Sequence, residues 1–281
     1  MININGNLLE DKDASLSVFN RGFKYGDAVF ETIRIINGKI IFWEDHYFRL
    51  MASMRIMRME IPNSFSPEFL EEEILELLKV NGLKDSPARI RFTVFRKEGG
   101  FYTPSTRNVG YTLTCFKIES PFYLLNEEPY EIELFKDHYI NSGILSTIKS
   151  TNRAVNVLGS IFAKENGYNN CLILNEKKNV VEALNGNIFL VKGDTIKTPP
   201  LSDGALNGII RKQLTGIIKK LPDLKLEETS ISPFELQKAD ELFITNIAVG
   251  IQPVSRYRKK SFGSKSAALL LSKLNVQARL V

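Results

Sequence analysis

The residues best placed to do chemistry fall in loops and at the ends of elements. Asn207-Gly208-Ile209-Ile210-Arg211 runs from a glycine loop into a helix, so successive backbone N–H groups meet the positive end of the helix dipole and suit a phosphate. A glycine at such a junction also serves in plain turns, so the segment marks an anion site only in company with others. Lys149 is one of 37 basic residues, and a lysine taken singly belongs to the surface. The two histidines, His46 and His138, are too scattered to argue a metal site or a Ser-His-Asp arrangement. No G-x-G-x-x-G passes from a strand into a helix and no P-loop occurs, so the dinucleotide and nucleoside-triphosphate readings lack their phosphate cradle. Cys115 and Cys171 lie in apolar strand-like contexts without CxxC spacing and read as buried free thiols, with neither a disulfide nor a zinc site implied.

These groups need a scaffold, and 281 residues suffice for two domains. A composition of 43% hydrophobic, 25% charged and 10% aromatic residues is that of an ordinary folded protein. The 37 basic and 32 acidic residues are interspersed, so the net charge of +5 describes a mixed solvated surface rather than a nucleic-acid face. That excess would also suit a small anionic substrate. The start, MININGNLLEDKDASL, has no signal-peptide pattern, and no apolar run reaches the roughly 18 residues of a membrane span, so a cytoplasmic protein is expected.

Asn5-Gly6 and Asn37-Gly38 read as hairpin turns of a small antiparallel sheet containing VFETIRI and KIIFW. Over 44–59 the period becomes helical, with Tyr47, Leu50, Met51, Met54 and Met57 on one face and Glu44 and Asp45 in the first turn. A second helix is predicted over 66–82, and strands over 88–96 and 109–118. The Pro-containing stretch ESPFYLLNEEP marks the domain boundary, giving domains 1–120 and 121–281. The second begins with a strand near 131–138 and a loop ending in Lys149, then a helix over 152–166 using Val155, Leu158 and Phe162. Short strands CLILN, VVEA and NIFLV follow, then a helix with Ile210, Leu214, Ile217 and Ile218 inward, the strand ELFITN, a polar hairpin turn at Arg256 to Lys260, and a helix near 264–276.

Six segments in order, INGNLLEDKDASLSVFNRGFKYGDAVFETIRIINGKI, WEDHYFRL, IKSTNR, VVEALNGNIF, TPPLSDGALNGIIR and FITNIAVGIQPV, resemble the class IV aminotransferases, the fold-type IV pyridoxal-phosphate enzymes. The resemblance implies a two-domain α+β or α/β fold of the D-amino-acid aminotransferase type, with a small N-terminal α/β domain and a larger C-terminal β-barrel-like domain with helices. It implies pyridoxal 5'-phosphate as cofactor, no metal, no nucleic acid, no membrane, and a homodimer. Matched position by position, Lys149 in IKSTNR is the lysine that carries the cofactor as a Schiff base and shuttles the proton. Glu182 in VVEALNGN faces the pyridine nitrogen, with Asn187 in the same motif. Arg49 in HYFRL grips the phosphate, Gly208 with the amides of Ile209 and Ile210 forms the phosphate loop, and Asn246, Ile247 and Ala248 form a second loop reaching phosphate and substrate carboxylate.

Substrate contacts are expected from Tyr25, Phe30, Thr32 and Arg34, with Arg91 at the family's usual carboxylate position. The other reading of Arg89 and Arg91 is the exposed face of an edge strand. Branched-chain enzymes usually carry a tyrosine where this chain has Arg89 and another where it has Ala154, and the transaminase phosphate loops carry hydroxyls where it has Ile210 and Ile247. The arginine and histidine pair of the D-amino-acid enzymes is absent from KEGGFYTP. The pattern is most similar to aminodeoxychorismate lyase, in which Lys149 would remove a ring proton and Thr32 or Lys149 would protonate the departing enol. A branched-chain or broad-specificity aminotransferase is the alternative, and a non-catalytic cofactor-binding protein a further one.

Overall fold

In a computed structural model the structure describes residues 1–280, which divide into two compact units. The first comprises residues 1–122 and 148–152, the second 123–147 and 153–280. The segment holding Lys149, which the sequence reading put in the second domain, is thus counted with the first, because its backbone runs as an antiparallel neighbour of a strand there.

Unit 1 is built from β1 (Ile2–Ile4), β2 (Asn7–Leu9), α1 (Arg21–Tyr25), β3 (Ala28–Ile36), β4 (Lys39–Ile40), α2 (Trp43–Ile56), α3 (Pro67–Val80), β5 (Ala88–Arg96) and β6 (Val109–Lys117). The sheet order is β2-β1-β6-β5-β3-β4, each neighbour antiparallel. Both Asn-Gly turns take positive φ at each residue, 54° and 85° at Asn5-Gly6 and 49° and 73° at Asn37-Gly38, the geometry that closes a two-residue hairpin. Ser66 caps α3 by accepting from the Phe69 amide at 3.1 Å, and Pro67 costs nothing at the first helical position. One face of the sheet, with Val29, Ile33, Ile35, Ile90, Phe92, Val94 and Leu113, packs against Leu50, Met51 and Met54 of α2 and Leu70, Ile74, Leu77 and Leu78 of α3. Because β-strand side chains alternate, Phe30, Thr32, Arg34, Arg89, Arg91 and Thr93 stand on the opposite face. β5 lies between β6 and β3, so Arg89 and Arg91 are on an interior strand and the edge-strand reading is corrected.

Unit 2 contains β7 (Glu131–Ile140), α4 (Ile144–Thr147), α5 (Ala154–Glu165), β8 (Asn170–Asn175), β9 (Val180–Ala183), β10 (Gly186–Lys192), β11 (Thr195–Thr198), α6 (Ile209–Ile218), β12 (Lys225–Glu228), α7 (Pro233–Leu236), β13 (Glu241–Asn246), β14 (Gly250–Val254), β15 (Arg256–Tyr257), β16 (Lys260–Ser261) and α8 (Lys265–Arg279). Its sheet mixes parallel pairs, β7 with β8, β11 with β12 and β15 with β7, with antiparallel ones. β10 pairs β9 through its first residues, β11 through its last, and β13 along Asn187 to Val191, so the sheet forks there. Leu172, Val180, Ile188, Leu190, Leu242, Ile244 and Tyr257 form its core.

Two expectations change. In α5 Val155 and Phe162 pack on the Phe135 cluster, but Leu158 is exposed; the inward positions are Gly159 and Ala163. A Cβ at residue 159 would stand 2.3 Å from Leu184 Cδ2, so the helix approaches by its smallest side chains rather than its largest. Cys171 is buried, whereas Cys115 at the rim of the unit 1 core is only half-buried; both are free thiols. Among the described residues no helix is long and apolar enough to cross a membrane, and no metal-binding group of side chains occurs.

Candidate active site

Lys149 is positioned by β3. The Phe30 amide donates to the Lys149 carbonyl at 2.8 Å and the Thr151 amide to the Ala28 carbonyl at 3.0 Å, with Val29 opposite Ser150. That register puts Ile148 into the core and Lys149 on the face of Phe30. Lys149 Nζ lies 4.6 Å from the Phe30 ring centroid, and the Arg91 guanidinium carbon lies 3.8 Å from the same centroid. Thr32 is opposite Arg91 in the next rung of the sheet, and Arg34 opposite Arg89 in the rung beyond. Burial, and then repulsion from Arg89, pull the Arg91 pKa below the usual arginine range. Arg34, an expected substrate residue, is buried and its Nη2 donates to the carbonyls of Ser120 at 2.5 Å and Phe122 at 3.2 Å. Tyr25, half-buried, packs with its ring tilted 50° and its centroid 5.7 Å from that of Tyr102 in the 97–107 loop.

On the core-facing side of β3 stands a charge that the sequence reading passed over. Glu31 is buried, accepts from Arg49 Nε at 2.8 Å and Nη2 at 2.5 Å, and bonds His46 Nδ1 at 2.7 Å. Burial alone would raise its pKa, but Arg49 and His46 outweigh that and bring it down to about 2. Burial lowers the His46 pKa, which keeps the ring neutral and makes Nδ1–H the donor to Glu31. The signal was available, since a carboxylate between Val29 and Ile33 occupies an inward register position and demands a buried partner. Asp27 is a second such group, shared by Arg21 at 2.9 Å and Arg96 at 2.8 Å. The other end of Arg21 collects the carbonyls of Gly99, Gly100 and Phe101, which fixes the start of the 97–107 loop.

In unit 2 the expected residues build a loop. Glu182 on β9 and Asn187 on β10 are opposite each other and buried. Glu182 Oε2 accepts from the Leu206 amide at 3.0 Å, while Asn187 Nδ2 donates to the Leu206 carbonyl at 2.8 Å, so one peptide segment is pinned through both its polar groups. Gly208 then starts α6 with no side chain capping it, and a Cβ there would meet Asn187 Oδ1 at 2.0 Å. The amides of Ile209 and Ile210, first in the helix, have no intrahelical acceptor. Thr245, opposite Asn187 on β13, is buried with its hydroxyl unpartnered among the described residues. Asn246 Oδ1 accepts from the amides of Ala248 at 3.0 Å and Val249 at 3.1 Å, which closes the expected second loop as a turn. Ile247 is buried and its carbonyl accepts from Tyr123 Oη at 3.1 Å.

Comparison with known proteins adds to this geometry. The family model described as amino-transferase class IV matches residues 28–257. The chain is 33% identical over 274 residues, 97% of its length and 93% of the relative's, to the "Putative branched-chain-amino-acid aminotransferase" of Methanocaldococcus jannaschii. It is 29% identical over 276 residues, 95% of its length and 89% of the relative's, to the aminodeoxychorismate lyase of Bacillus subtilis. Among solved structures, the branched-chain aminotransferase of the archaeon Thermoproteus uzoniensis, with norvaline, superposes with a TM-score of 0.88 at 25% identity, covering 99% of this chain and 94% of that one. Another solved branched-chain amino acid aminotransferase, holding pyridoxamine 5'-phosphate, superposes with a TM-score of 0.85 at 25% identity, covering 98% of this chain and 92% of that one.

Proposed function

The chain belongs to the class IV aminotransferase family, and from that premise we propose that it is an aminodeoxychorismate lyase, splitting 4-amino-4-deoxychorismate into 4-aminobenzoate and pyruvate. Its cofactor is pyridoxal 5'-phosphate. The residues suit that group: the uncapped start of α6, kept clear by Gly208, suits a phosphate. Glu182, pinned by the Leu206 amide, is an anionic partner for a ring nitrogen. When bound, the cofactor supplies an electron-accepting ring to the carbon that loses its proton.

The observation that carries the lyase reading is the make-up of the sheet face that Lys149 shares. Phe30, Thr32, Arg89, Arg91 and Thr93 offer a ring, hydroxyls and cations, and no aliphatic wall for a branched side chain. Arg91 binds a substrate carboxylate. Lys149 Nζ removes the proton from the ring carbon bearing the substrate amine. The C–O bond to the enolpyruvyl group breaks, the ring becomes aromatic, and the departing enol takes a proton from Thr32 Oγ1 or Lys149 Nζ. The family pattern also supports a homodimer acting in the cytoplasm; sedimentation at the mass of two chains checks the first point.

The Methanocaldococcus relative, at 33% identity, favours a second reading, branched-chain transamination. Purified protein is expected to be yellow, to lose that colour on Lys149→Ala, and to release 4-aminobenzoate and pyruvate in equal amounts from aminodeoxychorismate. Glutamate formation from leucine and 2-oxoglutarate, without 4-aminobenzoate, would establish the transaminase instead. A Thr32→Val variant with full lyase turnover would leave Lys149 as the sole proton donor.

A further inference from the structure

Six arginines of unit 1 fall into two groups. Arg21 and Arg96 share Asp27, Arg49 is held by Glu31, and Arg34 is committed to the Ser120 and Phe122 carbonyls. Arg89 and Arg91, by contrast, have no ion pair to a carboxylate among the described residues, and their guanidinium groups rest on the rings of Phe116 at 5.5 Å and Phe30 at 3.8 Å. They sit two residues apart on β5, so both point to the face that carries Lys149, separated along the strand by about 6.6 Å, twice the rise per residue. Two like charges at that spacing repel, and aromatic faces offset the repulsion only weakly. The arrangement becomes favourable when two negative charges bridge it.

We propose that Arg89 is a specificity-determining residue, binding a second carboxylate of the substrate while Arg91 binds the first, so that this site selects dicarboxylates. The inference rests on the reading of this face as the substrate side and names its substrate class. Arg91, closer to Lys149 through the shared Phe30 ring, takes the carboxylate nearer the reacting carbon. Arg89, one rung further along beside Phe116, takes the distal one. A substrate with a single carboxylate leaves Arg89 uncompensated and gains nothing from it.

The test uses holoenzyme and two unreactive probes, glutarate and pentanoate, which differ by the distal carboxylate. Binding is followed by calorimetry and by the shift of the cofactor's visible band. The wild-type protein should bind glutarate at least about 10-fold more tightly than pentanoate, the size of one charge-assisted contact. Arg89→Met should erase that preference and leave pentanoate affinity unchanged, and Arg89→Lys should restore part of it. The side chain of Arg89 is exposed, so the variants should melt with the wild type. Equal affinity for the two probes in wild type, or an unchanged glutarate preference in Arg89→Met, would overturn the proposal, as would equal loss of both ligands. Neither probe is turned over, so absence of lyase activity would leave this result standing. Lyase turnover without a glutarate preference would sink Arg89 alone.

Discussion

The two units hold their expected functional residues by different physics. In unit 1 charge is held by countercharge: Glu31 lies between Arg49 and His46 and Asp27 between Arg21 and Arg96, while two cations without such partners, Arg89 and Arg91, lie on the sheet face of Lys149. In unit 2 backbone is held by neutral clearance and single side-chain bonds: Gly186 and Gly208 leave room, Glu182 and Asn187 pin Leu206, and Asn246 closes a turn. Residues held by ion pairs respond to pH and to loss of one partner. Residues held by peptide geometry respond to a methyl group. Perturbations of each unit should therefore leave different signatures.

The largest effect is expected at Glu31. Replacing it by Gln leaves Arg49 buried beside a neutral amide, and removing one partner of a buried ion pair costs about 3–5 kcal/mol. The pH dependence has a definite sign. The folded-state pKa of about 2 lies below the ordinary 4.5, so the stabilisation is complete above 4.5 and is lost as pH falls from there toward 2. His46 adds in the same direction. Its pKa is depressed from 6.5, so below that pH the unfolded chain takes up a proton that the folded chain does not. Urea midpoints measured from pH 7 to pH 3 should show the wild type and Glu31→Gln converging on acidification. A constant gap would mean that Glu31 titrates alike in the folded and unfolded chains and that the contrast drawn for unit 1 is false.

A smaller, pH-independent effect should follow from a single methyl in unit 2. At residue 186 a Cβ would stand 2.4 Å from the Thr245 carbonyl oxygen, and backbone there cannot swing aside. Gly186→Ala should cost about 1–3 kcal/mol of stability by overpacking. At residue 208 the clash is with Asn187 Oδ1 at 2.0 Å, a side chain that can move only by giving up its bond to the Leu206 carbonyl. Gly208→Ala should therefore melt near wild type but bind pyridoxal phosphate roughly 10-fold more weakly, one hydrogen bond's worth of loop order. Equal cofactor affinity, measured by absorbance titration of the apoprotein, would show that the 206–210 loop does not hold the phosphate.

The same contrast explains what could be read from the sequence. Periodicity revealed β5, and α3 to within two residues, because one face of each is apolar and the other polar. Gly208 and the helix it starts were visible because glycine spacing is local. The partners of the buried charges were not, since Glu31 meets Arg49 across 18 residues and Asp27 meets Arg96 across 69. Only the strand register brings such pairs together. Arg34 illustrates the point: its Nη2 meets the Ser120 and Phe122 carbonyls, partners 86 and 88 residues away that no local pattern announces. The exposure of Leu158 has the same origin, for α5 packs by Gly159, a choice made by Leu184 and Phe135 rather than by the helix's own sequence.

The smallest effect, at Asn246, separates shape from charge within unit 2. Its Oδ1 accepts from the amides of Ala248 and Val249, a local turn worth about 1 kcal/mol. Asn246→Ala should lower the melting temperature by about 2–4 °C for a chain of this size. Asn246→Asp presents the same acceptor with a negative charge, so the turn and the melting temperature should be retained. If the 246–248 loop lies against a phosphate or carboxylate, the added charge should still weaken pyridoxal phosphate or glutarate binding, and raising the salt concentration should recover part of the loss by screening. An Asp variant that binds both anions as the wild type does would take this loop out of the proposed anion site and reduce Asn246 to a turn residue.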